Sequence, residues 1–360
     1  MSDRASISLS VIIPVYNEPV WIARSISSVF EAIQRSGIED YEVLVVDDGS
    51  TDSTPQVLAG LSLQNPEIRV VAQPNGGRFL ARLRGVKEAR YPYLLLIDSR
   101  VTICPDSLGF VCQTIREDAS MSVWNAHCRI EQEGNPYARF WNVLTEIAFA
   151  DYFSNPRTTS FGLEEFDRFP KGTTCFLVPK EAWEDATSHF GSVYRSFEHA
   201  NDDTTMIRWI ARRHRIQISP EFSCVYRSRT TFRRFAGHVF HRGFVFVDGY
   251  RSPRTRFFPF LAGFYPISIL FLVAGARGPL LIPPAVLLLS AAGIALAAHF
   301  RRCFKDRLTF GILIPAYAAF FGLGLWAGLC LGIRDGMKRL TGRLSGRDEA
   351  GSVIDPTAGN

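Results

Sequence analysis

The sequence predicts an α/β fold with a doubly wound, mostly parallel sheet, followed by helices in a membrane. Three observations lead to this prediction. Short apolar segments alternate with amphipathic ones over residues 7–97, polar residues follow three of the apolar segments, and long apolar segments begin at Phe257. Strands that alternate with helices, joined by crossovers of this length, are typical of a parallel sheet covered by helices.

The segments before residue 180 can be assigned one by one. Runs of β-branched and aliphatic residues bounded by turns predict strands, and apolar residues spaced three and four apart predict helices. The predicted strands are 7–15, 41–46, 67–72, 93–97, 121–131 and 171–179, and the predicted helices are 21–34, 53–63, 78–89, 107–117 and 137–153. The helix at 137–153 could lie in the core or on a membrane, and 155–169 is predicted as a polar loop.

Composition and charge restrict the class of function. The chain has 360 residues, of which 47% are hydrophobic and 21% charged, and its net charge is +5. Much of the arginine lies near the apolar segments, which favours an anionic membrane surface or a phosphorylated ligand over nucleic acid. Seven scattered cysteines without a CxxC pair argue for a reducing compartment and against a zinc site. Residues 1–10 lack the apolar core of a signal peptide, so the globular part is expected in the cytoplasm.

Polar residues follow three of the predicted strands. They are Tyr16-Asn17-Glu18, Asp47-Asp48 and Asp98-Ser99-Arg100. The carboxyl ends of parallel strands meet at one edge of a sheet, where such folds bind their ligands. The sequence therefore predicts a binding crevice at this edge. For Asp47 and Asp48 the alternative is a local role in the turn, because aspartate is common in turns.

Four of these stretches resemble a known family. SVIIPVYNE, EVLVVDDGSTDST, NGGRFLARLRG and YLLLIDSR are similar to successive blocks of the family 2 inverting glycosyltransferases, which have the GT-A fold. The similarity runs in order from about residue 8 to 250. It implies a nucleotide-sugar donor, bound through Pro14, Tyr16, Asn17, Glu18, Asp47, Asp48, Arg82, Asp98, Arg100 and Arg242. Arg242 is included for its place in HVFHRG, which resembles a C-terminal block of the family.

One block departs from the family pattern. The family has a DxD motif whose last acid ligates a divalent ion, Mg²⁺ or Mn²⁺, on the diphosphate, but this sequence has Asp98-Ser99-Arg100. A guanidinium repels such a cation yet binds phosphate oxygens well. Our hypothesis is that Arg100 partly replaces the metal. The alternatives are an inactive site, or a metal bound by Asp98 and a ligand from elsewhere in the chain.

A second acidic pair, Asp202 and Asp203, opens a predicted helix. Carboxylates are favoured there by the exposed N–H groups, so a capping role is one interpretation. The resemblance implies another, because the second acid of the family's ED…R block is the catalytic base. The spacing between Asp203 and Arg208, matched to the acid and the arginine of that block, favours Asp203 for this role. A phosphate acceptor would need no base.

The C-terminal third is predicted to lie in or on a membrane. Residues 228–250 interleave basic and aromatic residues, which suits a helix in the headgroup layer. The apolar segments 257–274, 279–298 and 309–332 are each near the length of about 20 residues that a spanning helix needs. The positive-inside rule would place the basic clusters 251–256, 301–307 and 334–347 all in the cytoplasm. Three full spans cannot do this. We therefore expect one re-entrant or interfacial segment, with the proline-interrupted first or second as the suspect.

These observations divide the chain into four parts. They are a cytoplasmic glycosyltransferase domain (1–228), an amphipathic interfacial segment (229–256), membrane helices making two or three spans (257–333) and a basic, partly disordered tail (334–360). The expected function is transfer of a sugar to the hydroxyl of a lipid-linked or membrane-proximal glycan, in cell-envelope or exopolysaccharide synthesis. A polyprenyl-phosphate acceptor and an inactive nucleotide-sugar-binding subunit are the alternatives.

Overall fold

The computed structural model describes residues 7–197, 200–253 and 255–344. In this part of the chain nine strands form one sheet. They are β1 Leu9–Val15, β2 Tyr41–Asp47, β3 Ile68–Ala72, β4 Tyr93–Ile97, β5 Val101–Ile103, β6 Trp124–Ile130, β7 Thr159–Phe161, β8 Cys175–Pro179 and β9 Ile216–Tyr226. The strand order is β3-β2-β1-β4-β8-β6-β9-β5, and β7 pairs with β9.

Twelve α-helices accompany the sheet in the described ranges. They are α1 Pro19–Ser36, α2 Thr54–Gln64, α3 Arg78–Glu88, α4 Ser107–Glu117, α5 Pro136–Ala148, α6 Ala150–Phe153, α7 Lys180–Ser188, α8 Asp202–Ile210, α9 Phe232–Tyr250, α10 Phe258–Arg277, α11 Ile282–His299 and α12 Phe304–Leu344.

The first four strands of the chain form the parallel half of the sheet. β1 pairs in parallel with β2 and β4, and β2 pairs in parallel with β3. Every residue of β1 is buried, as expected for a strand covered on both faces. Val15 is the register partner of Asp47, so the polar loops after β1 and β2 begin side by side. The prediction of a doubly wound α/β sheet is confirmed.

The second half of the sheet is mixed. β8 runs antiparallel to both β4 and β6, so β4 and β6 point the same way. β6 then pairs in parallel with β9, with a register shift between Ala126 and His127. Opposite this shift β9 passes through Pro220, which cannot donate a ladder hydrogen bond. The bulge therefore accommodates a proline inside a long strand.

Helices cover both faces of the sheet. Because side chains alternate along a strand, Val11 packs on one face with Ile26 of α1, and Ile12 packs on the other with Trp183 of α7 and Ile207 of α8. Both clusters are almost fully buried. They fix the edge of the sheet at which β1, β2, β4 and β6 all end.

Several elements differ from their prediction. Residues 155–169, predicted as a loop, contain β7 and a short 3₁₀ turn at Phe166–Arg168. The helix predicted at 137–153 is broken into α5 and α6, and α5 packs in a cluster with α9 and α12. Three further elements were not predicted, namely β5, α7 and β9. β5 has only three residues, and β9 contains a proline, which the interior of a strand normally excludes.

The C-terminal helices agree with the predicted apolar segments. α10, α11 and α12 are each long and apolar enough to cross a membrane by length and composition. α12 continues to Leu344 without a break, into the stretch that is predicted as a basic, partly disordered tail. Residues 345–360 of that predicted tail lie outside the described residues.

Candidate active site

Four elements bring polar side chains together at the carboxyl edge of the parallel strands. Arg82 comes from α3, Asp98 follows β4, Thr173 precedes β8 and Asp203 lies in the first turn of α8. The chain places these residues far apart in sequence. The sheet order joins them, because β4 and β8 are neighbours and α3 and α8 pack on the same face.

Arg82 is the centre of this group. Its Nη2 donates to Asp98 Oδ1 at 3.1 Å, and its Nη1 donates to Asp203 Oδ1 at 3.2 Å. The Arg82 side chain is 1% exposed, whereas those of Asp98 and Asp203 are 17% and 26% exposed. Asp203 Oδ1 also accepts a short hydrogen bond from the hydroxyl of the buried Thr173. A buried arginine therefore holds two partly exposed carboxylates at the edge of the crevice.

The two carboxylates differ in proton affinity. Burial raises the pKa of Asp98 above its ordinary value, against the opposing charges of Arg78 and Arg82. Burial also acts to raise the pKa of Asp203, but Arg78, Arg82 and the Thr173 hydroxyl outweigh it and hold that pKa at about 2. Neighbouring charges and hydrogen bonds thus separate two like groups. Asp203 is an ionised proton acceptor at neutral pH.

Two more exposed arginines face the same carboxylates. Arg78, half exposed at the start of α3, lies 3.6 Å from Asp203 and 4.0 Å from Asp98. Arg242 on α9 lies over the ring of Trp141, and its charge also lowers the pKa of Asp203. Its Nε is 3.4 Å from Nε2 of His238. The place of Arg242 in the site stays a prediction, and Arg78 is an addition that the sequence motifs did not select.

The loop after β1 is tied to the loop after β2. Asn17 has a left-handed backbone with φ +54°, its amide oxygen accepts from Thr51 N at 2.8 Å, and its N–H donates to Ser50 Oγ at 3.0 Å. Tyr16, which follows the Pro14–Val15 end of β1, is 47% exposed. The loop thus offers an aromatic face at the crevice on a rigid backbone.

Asp48 is used by the protein itself. Its Oδ1 accepts from Gln73 Nε2 and Gly76 N, and its Oδ2 accepts from Gly77 N at 2.8 Å. This supports the turn interpretation for Asp48, because three donors already surround its carboxylate. Asp47, 5% exposed, accepts from Ser50 N through Oδ1.

The hypothesis required the guanidinium of Arg100 to be available for phosphate oxygens, but it is bound to groups of the protein itself. Its Nη1 donates to both oxygens of Glu18, and its Nε and Nη2 donate to the carbonyls of Arg227 and Ser228. The guanidinium is 8% exposed and lies over the ring of Trp21. All three of its nitrogens are therefore engaged, which argues against Arg100 as the group that takes the place of a metal. Glu18 is likewise a partner of Arg100 and Arg229.

The residues at this edge do not fit the family's metal site. Asp98 is the acid that the motif retains, and it accepts from Arg82. No group of three or more His, Cys, Asp or Glu side chains lies together in the described ranges. A hard cation needs several oxygen ligands, and arginines surround the carboxylates here. Of Asp202, predicted beside Asp203, only its position as the first residue of α8 is described.

Comparison with known proteins defines the class of this chain. A mannosyltransferase from Pyrobaculum calidifontis, solved with GDP-Man and Mn²⁺, superposes with a TM-score of 0.55 at 20% identity and covers 86% of each chain. This likeness shows the fold, a GT-A-like α/β sheet. Residues 10–185 match the model for glycosyl transferase family 2. This match spans just under half of the chain and agrees with the resemblance to that glycosyltransferase family that the motifs predicted.

Curated relatives carry similar names. Glycosyltransferase GlyG of Streptococcus pneumoniae is 28% identical over 131 residues, and chondroitin synthase of Escherichia coli is 32% identical over 135 residues. The alignments cover 36% and 37% of this chain, but only 42% and 19% of those two proteins. The chain therefore spans less than half the length of either of these two relatives.

Proposed function

We propose that this protein is an inverting glycosyltransferase that moves a sugar from a nucleotide-sugar donor to a hydroxyl of a lipid-linked or membrane-proximal glycan. Cell-envelope or exopolysaccharide synthesis is the expected setting. The observation that carries the proposal is the joining of Asp98 and Asp203 by buried Arg82 at the carboxyl edge of the sheet. The relatives named as glycosyltransferase and chondroitin synthase support the reaction class. The mannosyltransferase solved with GDP-Man supports the donor class.

The proposed roles follow from position. The Tyr16–Asn17 loop and Asp47 would bind the nucleoside, and Asp98 would face the ribose and the donor sugar. Asp203 would accept the proton of the acceptor hydroxyl as that oxygen attacks the anomeric carbon. The bond from this carbon to the diphosphate oxygen breaks on the opposite face, and the nucleoside diphosphate leaves with the electron pair. One bond forms and one breaks, and the proton remains on Asp203 until solvent removes it.

The charge of the leaving diphosphate also needs a partner. We assign this role to Arg78, which lies 3.6 Å from Asp203, and to Arg242 of another helix, whose charge acts on Asp203. Fixed cations that face developing negative charge are an effective form of transition-state stabilisation. The mannosyltransferase was solved with Mn²⁺, but the described residues of this chain hold no group of three or more metal-ligating side chains, so no step is assigned to a metal.

One observation favours a second acceptor. A carboxylate with a pKa of about 2 is a weak base, and general bases work best with a pKa near the operating pH. A polyprenyl-phosphate acceptor is already ionised and needs no base. Asp203 would then only orient Arg82 and Arg78, and its replacement would cost less activity.

The membrane completes the proposal. Three helices could span a bilayer, and we propose that they hold the catalytic domain at the cytoplasmic face. Basic clusters flank these helices, which agrees with a cytoplasmic position for the domain.

The test is release of nucleoside diphosphate by the purified full-length protein in native lipid extract. A panel of nucleotide sugars would be offered with and without EDTA, with Asp203→Asn beside the wild type. For a hydroxyl acceptor we expect release from one donor to survive EDTA and to fall about 100-fold or more in the variant. Asp106→Asn is the control, because that side chain, just before α4, is 85% exposed and pairs only with Arg35 among the described residues.

Each other result has a defined meaning. A loss below about tenfold in Asp203→Asn would favour the phosphate acceptor. Release that requires Mn²⁺ or Mg²⁺ would contradict the role given to Arg78 and Arg242. Tight nucleotide binding without release from any donor would indicate an inactive binding subunit.

A further inference from the structure

The three apolar helices are not alike. Only 6% of the apolar stretch of α10 and 11% of that of α11 are buried, whereas 33% of that of α12 is buried. α12 is also about twice as long as either of the others. The three helices therefore differ in how much surface they can expose to lipid. This matters because three full spans cannot place all three basic clusters on the same side of the membrane.

The beginning of α12 is fixed to the catalytic domain. Asp306 accepts from Arg139 of α5 at 2.7 Å, and Arg302, just before α12, forms a short ion pair with Glu146 of α5. Asp306 is 4% exposed. A buried ion pair between two elements holds them in one arrangement, because separation would leave an unpaired charge.

The middle of α12 lies directly on α9. A Cβ built on Gly324 would collide with the carbonyl oxygen of Phe240, and one built on Gly243 of α9 would collide with the carbonyl oxygen of Phe321. The two backbones therefore touch at glycines, as in closely packed helix pairs. α9 is the helix that carries Arg242, so this contact lies behind the candidate active site.

The far end of α12 is again on the catalytic domain. Asp335 accepts from the backbone N–H of Arg195 at 3.0 Å, and Arg339 donates to the carbonyls of Ser192 and Tyr194 at 3.2 Å. Asp335 is 3% exposed. The loop that receives these bonds connects α7 to α8. Both ends and the middle of α12 thus contact the same domain.

The contacts with α10 lead to the same conclusion. The Tyr265 hydroxyl donates to the carbonyl of Leu325 at 3.2 Å. Tyr265 lies in the first half of α10, while Leu325 lies past the midpoint of α12. Two helices that enter a membrane from one side and rise together at about 1.5 Å per residue would pair residues at equal depth. This contact instead joins the first half of α10 to a residue much further from the start of α12, so the two residues would not lie at equal depth in two spanning helices.

The outer face of α12 carries an apolar stripe that α10 covers near its middle. At 3.6 residues per turn, the exposed large apolar residues of α12 fall within about 100° of arc, on one side of the helix. They are Phe304, Leu308, Ile312, Leu323, Ile333, Met337 and Leu340. On this same side Gly322 packs against the ring of Phe264, and Trp326 donates to Ser268, both residues of α10. The buried positions Phe310, Gly324 and Asp335 lie on the opposite side, against α5, α9 and the α7–α8 loop. Exposed apolar residues on one side at both ends suit a helix that lies in the plane of a bilayer surface.

We propose that α10 and α11 form a hairpin that inserts into the bilayer, and that α12 does not cross it but lies along the membrane surface beneath the catalytic domain. This inference rests on the membrane attachment in the proposed function. It places the basic clusters 251–256 and 301–307 and the described part of 334–347 on one side. The positive-inside rule is then satisfied with two spans. The interfacial segment is the third apolar helix, not the proline-interrupted first or second that the sequence made suspect.

Cysteine accessibility in oriented vesicles tests this topology. In a full-length chain with the native cysteines replaced, single cysteines would be placed at Leu63, Leu280, Cys303 and Thr341, all exposed positions. Leu63→Cys marks the catalytic domain and Leu280→Cys marks the tip of the hairpin. We expect an impermeant maleimide to label Leu280→Cys from one face only, and the other three from the opposite face. Each variant must retain nucleoside-diphosphate release, which shows that it folds.

Two results would overturn the inference. Labelling of Thr341→Cys from the same face as Leu280→Cys would mean that α12 crosses the membrane. Labelling of Leu280→Cys from the face of Leu63→Cys would mean that the hairpin does not. Extraction of the protein by alkaline carbonate would instead reject the membrane attachment itself, and the inference with it. Release of nucleoside diphosphate by that extracted protein would still uphold the proposed transferase reaction.

A depth measurement adds an independent readout. Cys330 lies on the exposed side of α12, and Leu288 lies near the middle of α11. With a fluorophore at either position, we expect nitroxides deep in the acyl chains to quench Leu288→Cys strongly and Cys330 weakly. Headgroup nitroxides should show the reverse order. Equal deep quenching at both positions would contradict the surface position of α12.

Discussion

Arg82 and Arg100 are both buried and both paired with acids, yet they differ in what they leave exposed. Arg82 bridges Asp98 and Asp203, and both carboxylates keep part of their surface open to the crevice. Arg100 donates to Glu18 and to two carbonyls, and Glu18 is itself buried and also paired with Arg229. Arg82 holds two acids at the crevice, whereas Arg100 links the loop after β4 to the start of α1. A basic residue at a motif position therefore does not reveal its role until its partners are known.

The largest effect is expected from Arg82→Met. The change leaves two carboxylates near each other in a partly buried place without their shared cation, and breaking such a pair costs about 3–5 kcal/mol of stability. We expect release of nucleoside diphosphate to fall about 100-fold or more. Thermal unfolding and donor turnover measure the two effects.

The control for Arg82 is Arg84→Met on the same helix. Arg84 is 44% exposed and pairs with Glu88, so both readouts should stay near wild type. Wild-type turnover in Arg82→Met would show that Arg82, like Arg100, has only a structural role.

A smaller loss is expected when the backbone around Asp203 is loosened. Asp248 of α9 accepts from Ser192 Oγ, Val193 N and Asn201 N, each at 2.9 Å, and Asn201 caps the helix that carries Asp203. Asp248→Asn replaces an acceptor by a donor, so we expect kcat to fall about tenfold with the donor KM unchanged. Steady-state kinetics separate the two constants.

The matched control for Asp248 is another buried aspartate. Asp306→Asn breaks the ion pairs with Arg139 and Arg302 at the start of α12. It should lower the melting temperature without changing kcat of the folded enzyme. A similar kcat in both variants would mean that Asp248 serves stability alone.

Arg100→Met should contrast with Arg82→Met, because we expect it to lower stability with little loss of turnover. It removes hydrogen bonds to Glu18 and two carbonyls, at a cost of about 1–3 kcal/mol in the free energy of unfolding. Turnover by the folded fraction should fall less than about tenfold, because no acid at the crevice loses its partner. Denaturant unfolding and turnover at a permissive temperature measure this. A turnover loss equal to that of Arg82→Met would return Arg100 to the substrate site.

The smallest effect concerns pH. The folded-state pKa of Asp203, about 2, lies below its ordinary 3.8, so its pairing stabilises the protein above about pH 4 and is lost as the pH falls towards 2. The difference in melting temperature between wild type and Asp203→Asn should be constant from about pH 8 to 5 and should narrow below about pH 4. A difference that changes between pH 6 and 8 would contradict the low pKa.

The sequence predicted the parallel half of the fold well, because strand and helix patterns there are local. The alternation around β1, β2 and β4 follows from runs such as Val43–Val46. The sequence could not show that Arg100 turns towards Glu18, since those residues are 82 positions apart and meet only once β1 and β4 pair. The strand β9 was missed because Pro220 interrupts a segment that otherwise alternates apolar and polar residues as a strand does.

The contribution of single side chains to the site was also partly hidden. Thr173 and Arg78 gave no signal beyond their types, and only the neighbouring positions of β8 and α3 bring them to Asp203. The tail predicted from its charge is helical up to Leu344 because Asp335 and Arg339 find buried partners. Charge alone predicts solvent exposure, and those partners lie far away in the sequence.

The bonds from Asp335 and Arg339 to the α7–α8 loop also set an order of assembly during biosynthesis. The loop next to Asp203 emerges from the ribosome long before the helix that supports it. Chains grow at about 5–20 residues per second, so the catalytic domain exists for several seconds without this support. The hairpin of α10 and α11 must leave the ribosome within that interval. The support that α12 gives to this loop is therefore complete only once Arg339 has been made.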